Sequence, residues 1–408
     1  MRILFTLFSR IGSIVFRVKR YREPHFIAKQ IEAGKIKKIL LIHLQQLGDT
    51  LVFTPCAKAL LERYGKQLEI DVLCNSVSYE VCKNMPHIRR FYVDKFWFWG
   101  KGEKKLSLLF KLLKEIRRER YDLAILDAEE TSLKYPIIAF LTGATYRLGY
   151  DVDSRGFLNN IVPTLSPSLS YIARNRQLFE FAGIPVPSTH LWLPTTASDK
   201  AQAQELLRTH CSSSSIPIMI HQGSNFSSKH WFKEKWVALC KRLLENPNVI
   251  LFFSGAERER HQVDAILSEL NSPRAISLVG KTSIHTLKEL IELCQLFITV
   301  DTGVMHIGNC TNTPMVVLMS ARDYENLWIE PSERVSVLRK DVDCKYCFGI
   351  DCPTGTKECM KLIEVEEVYQ EALRFLPVLA KVILDLFIFS VVVVLASLSL
   401  PPKSAPEL

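Results

Sequence analysis

The chain has 408 residues, 48% of them apolar, and a formal net charge of +9. At ~150 residues per domain this length holds two or three domains, with apolar content ample for their cores. The positive balance favours anionic partners such as nucleotide diphosphates or acidic lipids, while the lack of any RNA- or DNA-binding signature sets nucleic acid aside.

Residues 1–22 carry Arg2, Arg10, Arg17, Lys19, Arg20 and Arg22 and no acidic residue. Leu4, Leu7, Phe8, Ile11, Val15 and Val18 share one helical face. That is the pattern of a basic helix lying in a membrane interface, or of an ordinary amphipathic helix packed on a domain. Arg10 and Arg17 interrupt the apolar run, which argues against a signal peptide. Apolar runs at 38–43, 69–74, 89–93 and 121–127 then read as strands, with helices at 50–64 and 106–120. The runs are continuous rather than alternating, as expected of parallel strands covered on both faces. A polar, proline-containing stretch at 185–215 reads as a hinge. A second series follows, with strands at 216–221, 249–254, 275–279, 296–300, 315–319 and 335–338 and helices at 233–244 and 284–294. Two such series imply two doubly wound α/β domains. The last apolar segment, 383–400, is short of the ~20 residues of a comfortable span. It reads as a membrane anchor or as a buried terminal helix.

The eleven cysteines fall into two sets. Seven are scattered in apolar contexts and look like reduced core residues, which argues for a reducing, cytoplasmic compartment. Cys344, Cys347, Cys352 and Cys359 cluster late. Four thiols within sixteen residues suit a structural zinc or iron–sulfur centre, or free thiols or a disulfide, since the spacing is not a clean pair of Cys-x-x-Cys knuckles. No catalytic metal or other cofactor is expected.

In open α/β sheets ligands bind beyond the carboxyl ends of strands. Asp301-Thr302-Gly303-Val304-Met305-His306 stands at such a point, between an apolar strand and a helix predicted from Met305. A glycine there lets backbone approach a ligand closely, and the N–H groups of a helix's first turn suit a phosphate. Gly48-Asp49 has the same logic after the first strand. The Asp-Thr-Gly string has no second copy, so the shared-proton chemistry of an aspartic protease is excluded. Asp151-Val152-Asp153 and Asp341-Val342-Asp343 read as solvated turn carboxylates rather than metal sites.

Leu41 to Thr50, Lys229-His230-Trp231, Gly255-Ala256-Glu257-Arg258-Glu259 and Asp301-Thr302-Gly303 with His306 together resemble the heptosyltransferase family, glycosyltransferase family 9. The resemblance runs from about 37 to 363. It implies a GT-B fold: two Rossmann-like domains facing across a cleft, here 37–195 for the acceptor and 196–365 for the nucleotide sugar. The basic segment 1–36 and the tail 366–408 flank them. It also implies inverting transfer of heptose or a related sugar from a nucleotide diphosphate, usually ADP-heptose, to a lipopolysaccharide core, without a metal. The expected partners are the nucleotide-sugar donor, an anionic lipid-linked glycan acceptor and the inner face of the membrane.

Sugar transfer to a hydroxyl needs a base, and with the resemblance Asp49 is that base; from spacing alone it would cap the helix that follows. Lys229 faces the departing diphosphate, whose charge must be met, with Ser224 and Asn225 as small polar neighbours. Glu259, or Glu257, accepts from ribose hydroxyls. Asp301 holds the turn or a nearby side chain, because a carboxylate beside a diphosphate would repel it. Thr302 and Gly303 supply donors, and His306 either joins them or is structural. Two other readings keep the fold: a nucleotide-sugar epimerase, which needs no acceptor, and a non-catalytic membrane-associated scaffold.

Overall fold

The computed structural model describes residues 12, 14–16, 18–94, 106–128, 132–166, 170–329 and 332–376. After a short helix α1 (Phe26–Glu32), a first unit runs β1 (Lys38–His43), α2 (Leu47–Tyr64), β2 (Glu69–Asn75), α3 (Ser76–Cys82), β3 (Ile88–Asp94), α4 (Leu106–Arg118), β4 (Leu123–Leu126), α5 (Lys134–Leu141) and β5 (Tyr146–Leu148). Helices α6 (Tyr171–Ala182) and α7 (Ala197–His210) lead to a second series. It contains β6 (Ile216–His221), α8 (Lys233–Leu243), β7 (Val249–Phe253), α9 (Arg260–Leu270), β8 (Ala275–Ser277), α10 (Ile284–Glu292), β9 (Leu296–Val300), α11 (Gly303–Gly308), β10 (Met315–Met319) and β11 (Val335–Arg339). Helices α12 (Glu358–Lys361) and α13 (Val365–Phe375) follow.

The strands form two sheets, ordered β3-β2-β1-β4-β5 and β11-β10-β9-β6-β7-β8. The pairings are parallel throughout. Strands β1, β4, β6, β7, β9 and β10 are buried along nearly their whole length, so the continuous apolar runs reflect helices on both faces. Each sheet reverses its winding direction once. The reversal lies between β1 and β4 in the first and between β6 and β9 in the second. A crevice opens at such a switch point, beyond the strand ends. This is the two-sheet architecture that the resemblance implies.

Several local expectations are corrected. Within the stretch 185–215, residues 185–196 are irregular and 197–210 form α7, a helix the polar composition did not announce, whose N-terminus carries a capping box between Thr196 and Asp199. The cap outweighs the polar composition, because it satisfies backbone donors that would otherwise be left over. The helix after β1 begins at Leu47 rather than Thr50, and the one after β9 at Gly303 rather than Met305. Asp151 is not freely solvated: it pairs with Arg20 at 2.8 Å and accepts from the Gly156 N–H. The segment 383–400 lies outside the described residues, as does most of 1–22. Among the described residues no helix is long and apolar enough to cross a membrane.

The edge of the first sheet opposite the crevice is held by charge. Asp71, fully buried on β2, pairs with Arg89 at 2.6 Å and accepts from the Tyr121 hydroxyl. Glu119 adds contacts to Arg89, Arg90 and Lys38 at 3.0–3.3 Å. Asp71→Ala leaves the Tyr121 hydroxyl only its longer bond to the Tyr92 hydroxyl, 3.3 Å, strands part of the Arg89 guanidinium, and is expected to cost about 1–3 kcal/mol. Urea denaturation measures that loss. Turnover of the folded fraction should stay at the parent level, because the network stands at the strand beginnings and the crevice at their ends.

Candidate functional site

The two switch points face each other and touch. Gly48, in the first turn of α2, and Gly303, which opens α11, approach so closely that neither could carry a side chain unopposed. A Cβ on Gly48 would stand 2.8 Å from His306 Cδ2 and 3.6 Å from Gly303 Cα. One on Gly303 would stand 3.3 Å from the Gly48 nitrogen and 3.1 Å from Leu47 Cβ. Neither glycine has a positive φ, so close approach, not a left-handed turn, is what the residue type serves here. Gly48→Ala forces the buried His306 ring aside. Improved helix propensity offsets part of the cost, by about 1 kcal/mol. Stability is therefore expected to change little, while turnover falls about tenfold or more through misplacement of neighbouring groups. A thermal melt paired with a transfer assay checks both halves of that expectation.

Asp49 is the third residue of α2, inside the helix rather than in a loop before it. Gln46 holds the cap position and makes no side-chain cap bond. Burial is the largest influence on the Asp49 carboxyl and raises its pKa from 3.8 to about 6. His43 opposes the rise, Asp127 adds to it, and the backbone N–H groups of Asp49 and Gln46 oppose it. A carboxylate of this kind is ionised at neutral pH yet basic enough to take a proton.

The second crevice gathers residues from three strand ends. Lys229 lies in a short 3-10 turn after β6 and is 6% exposed. Its Nζ is 2.7 Å from Asp301 Oδ2, past β9, and 3.5 Å from Asp323 Oδ2, past β10. Arg322 grips Asp323 with Nη1, at 3.0 and 2.8 Å from its two oxygens. The Phe226 ring lies 5.4 Å beneath Lys229 Nζ and 4.6 Å from the Arg322 guanidinium. Asp301 thus holds the Lys229 side chain. An ammonium has three donors, and this pairing leaves it capacity for a further anion.

Glu259 and Glu257 part company. Glu259 is buried, accepts from the Ala256 N–H at 2.7 Å, and lies so close to Gly223 that a Cβ there would collide with Oε1. Glu257 is exposed and pairs with Arg260. Ser224 Oγ accepts from the Phe226 N–H, and its carbonyl accepts from His230 Nε2. Asn225 is exposed. Thr302 and Gly303 are half-buried at the start of α11. His306 is buried between the two crevices. Burial and then the Lys229 charge lower its pKa from 6.5 to about 3, so it is neutral at physiological pH. Its Nδ1 has no hydrogen-bond partner among the described residues.

The late cysteines lie near one another, Cys344 and Cys352 both acting on the Cys359 thiol. Cys344, Cys347, Cys352 and Cys359 are half-buried free thiols. Among the described residues no three His, Cys, Asp or Glu side chains form a group able to hold a metal. Of the alternatives left open by the spacing, this arrangement is that of free thiols. The surrounding loop also braces the crevice. The Ser228 N–H bonds the Ile350 carbonyl, and Arg322 bonds those of Gly349 and Phe348. Sequence reasoning passed over His43, Asp127, Phe226, Arg322 and Asp323. The rule that ligands bind beyond strand ends applies to Arg322-Asp323 after β10 as it does to Asp301 after β9.

The sequence profile described as glycosyltransferase family 9 (heptosyltransferase) matches residues 109–357. The chain is 24% identical over 293 residues to lipopolysaccharide heptosyltransferase 2 of Escherichia coli K12, covering 69% of this chain and 82% of that one. It is 26% identical over 286 residues to lipopolysaccharide heptosyltransferase 3 of Escherichia coli, covering 68% and 82%. Among solved structures, a family 9 glycosyltransferase from Veillonella parvula superposes with a TM-score of 0.69 at 20% identity, over 83% of this chain and 97% of that one. E. coli ADP-heptose lps heptosyltransferase II superposes at 0.64 and 22% identity, over 83% and 98%. The chain belongs to glycosyltransferase family 9, the heptosyltransferases, and has their GT-B fold.

Proposed function

We propose that the protein transfers heptose, or a closely related sugar, with inversion from ADP-heptose to a hydroxyl of a lipopolysaccharide-core-type acceptor. The observation that carries this reading is the contact of the two switch points. Gly48 meets Gly303 and His306, which sets Asp49 beside the crevice that holds Lys229. The relatives' names support the sugar and the acceptor, and a related E. coli heptosyltransferase solved with ADP supports the nucleotide.

In this reading Asp49 takes the proton of the acceptor hydroxyl as its oxygen attacks the anomeric carbon. The bond from that carbon to the diphosphate breaks on the opposite face, and the ADP oxygen leaves with the electron pair. Lys229, aimed by Asp301, meets the charge that develops there, a task that in other transferases falls to a metal ion. Ser224, Asn225, Thr302 and Gly303 contribute neutral donors around the phosphates. Glu259, turned inward, accepts from the ribose. Neutral His306 separates the two sites without adding charge. The acceptor side belongs to 37–195 and the donor side to 196–365. The exposed Ile14, Val15 and Phe16, in an otherwise basic segment, suit attachment to the inner face of the membrane from the cytoplasm.

The test is incubation of purified protein with ADP-heptose and a heptose-deficient core oligosaccharide. The expected result is a mass gain of one heptose on the acceptor and one ADP released per transfer. Turnover with UDP-sugars but not ADP-heptose overturns the donor assignment. An isomerised nucleotide sugar formed without acceptor overturns the transfer itself.

A further inference from the structure

The first crevice holds a buried pair that the transfer scheme leaves unused. His43 ends β1 and Asp127 follows β4, the two strands that flank the first switch point. The register Ile42↔Leu126 makes them neighbours across that point. Their side chains are 2% and 0% exposed, and His43 Nδ1 lies 3.0 Å from Asp127 Oδ2. The imidazole also stacks on Phe53, with ring centroids 5.0 Å apart and planes 18° from parallel. Phe53 stands four residues after Asp49 on α2, so the two share a helix face. Both ring nitrogens of His43 are buried and neither makes an aligned hydrogen bond among the described residues, so the approach to Asp127 is a close charge pair. Asp127 and Phe53 therefore set the ring's orientation.

We propose that His43 and Asp127 are a positioning pair for Asp49, holding that carboxylate in place and in its charged form. The proposal rests on Asp49 being the base. Two carboxylates and one imidazole share this end of the sheet, and like charges this close oppose each other's ionisation unless a cation stands among them. His43 is that group: its charge opposes the rise in the Asp49 pKa, whereas Asp127 adds to it. Asp127, 3.0 Å from His43 Nδ1, keeps the imidazole at this end of the sheet. The groups facing Asp49 are His43 from β1, Asp127 from beyond β4 and, across Gly48, His306 from α11 with Lys229 behind it. His306 is neutral over the range in question, so the balance at Asp49 turns on the pair.

The experiment is a kcat–pH profile from pH 5 to 9 for the parent protein, His43→Gln, His43→Lys and Asp49→Asn, in the transfer assay above. The parent kcat should rise through about pH 6 to a plateau. With His43→Gln, which fills the space but cannot carry charge, the rise should move up by about one pH unit with donor KM unchanged. His43→Lys returns a cation and should move it back. A His43→Gln profile that overlies the parent's, or Gln and Lys variants equally slow at every pH, overturns the proposal and leaves the base reading intact. Parent-level turnover by Asp49→Asn sinks the base reading itself. A second measurement reads the carboxyl directly: the ¹³Cγ signal of Asp49 should inflect near pH 6 in the parent and higher in His43→Gln, and an inflection that does not move also overturns the proposal.

Discussion

Asp49→Asn is expected to lower kcat for sugar transfer by about 10²–10⁴-fold, the usual contribution of a positioned base, with donor KM within about twofold. Asparagine keeps the shape and can still bond the acceptor hydroxyl, but it takes no proton. The donor-binding groups lie after β6, β7 and β9 and are untouched, which separates this loss from one of binding. The acid limb of the parent profile should vanish with it. The same substitution carries an opposite prediction for stability. Asp49 has a folded pKa raised to about 6 against 3.8, so between those values the folded state binds more protons than the unfolded one. Stability therefore falls as pH rises from about 4 to 6, and the loss persists above that window. Asp49→Asn should melt higher than the parent at pH 8, and the gain should disappear below pH 4. A variant that is slower yet more stable marks a group strained for function, whereas a helix-capping role would make it less stable.

Lys229→Met is the other large effect. The methylene stem is kept, and the ammonium between Asp301 and Asp323 is lost. Arg322 still covers Asp323, but Asp301 becomes a buried carboxylate without its ion-pair partner. Breaking one side of a buried pair costs about 3–5 kcal/mol. Loss of the cation facing the diphosphate should lower kcat/KM by about 10²–10³-fold, the scale for removing a preorganised charge-stabilising group. The double variant Lys229→Met/Asp301→Asn separates the two. It removes the stranded charge, so most of the stability should return, while activity stays low. Denaturant titration and steady-state kinetics on the parent, both single variants and the double variant form the cycle. Recovery of activity in the double variant would show that Lys229 acts by neutralising Asp301 and not the substrate.

The fold was legible because both sheets are parallel and covered on two faces. Runs such as 315–319, apolar throughout, and 296–300, apolar but for the buried Thr299, match β10 and β9 residue for residue. What failed was local. The three-residue strand β5 is too short to show any period, and α7 is a polar helix announced only by Thr196 and Asp199. The site was legible where a strand end carries an unusual string, as at Gly48-Asp49 and Asp301-Thr302-Gly303. Partners that meet only through topology were not. Asp323 is 94 residues from Lys229, and Asp127 is 84 from His43, so sequence spacing holds no trace of either contact. Glu257 and Glu259 could be told apart only by the 3-10 turn that aims one inward and one outward. The late cysteines were legible as a cluster, but not that their loop also braces Ser228 and Arg322 through its carbonyls.

The backbone-on-backbone meeting of Gly48 and Gly303 constrains how the enzyme can breathe. The contact is tight, with Leu47 packed on Gly303 and the His306 ring on Gly48, so it acts as a pivot. Rotation of one half against the other about such a point moves the outer lips of the crevice furthest and the atoms beside it least. Substrates can then come and go through a mouth that widens, while proton acceptor and ammonium keep nearly the same separation from one catalytic cycle to the next.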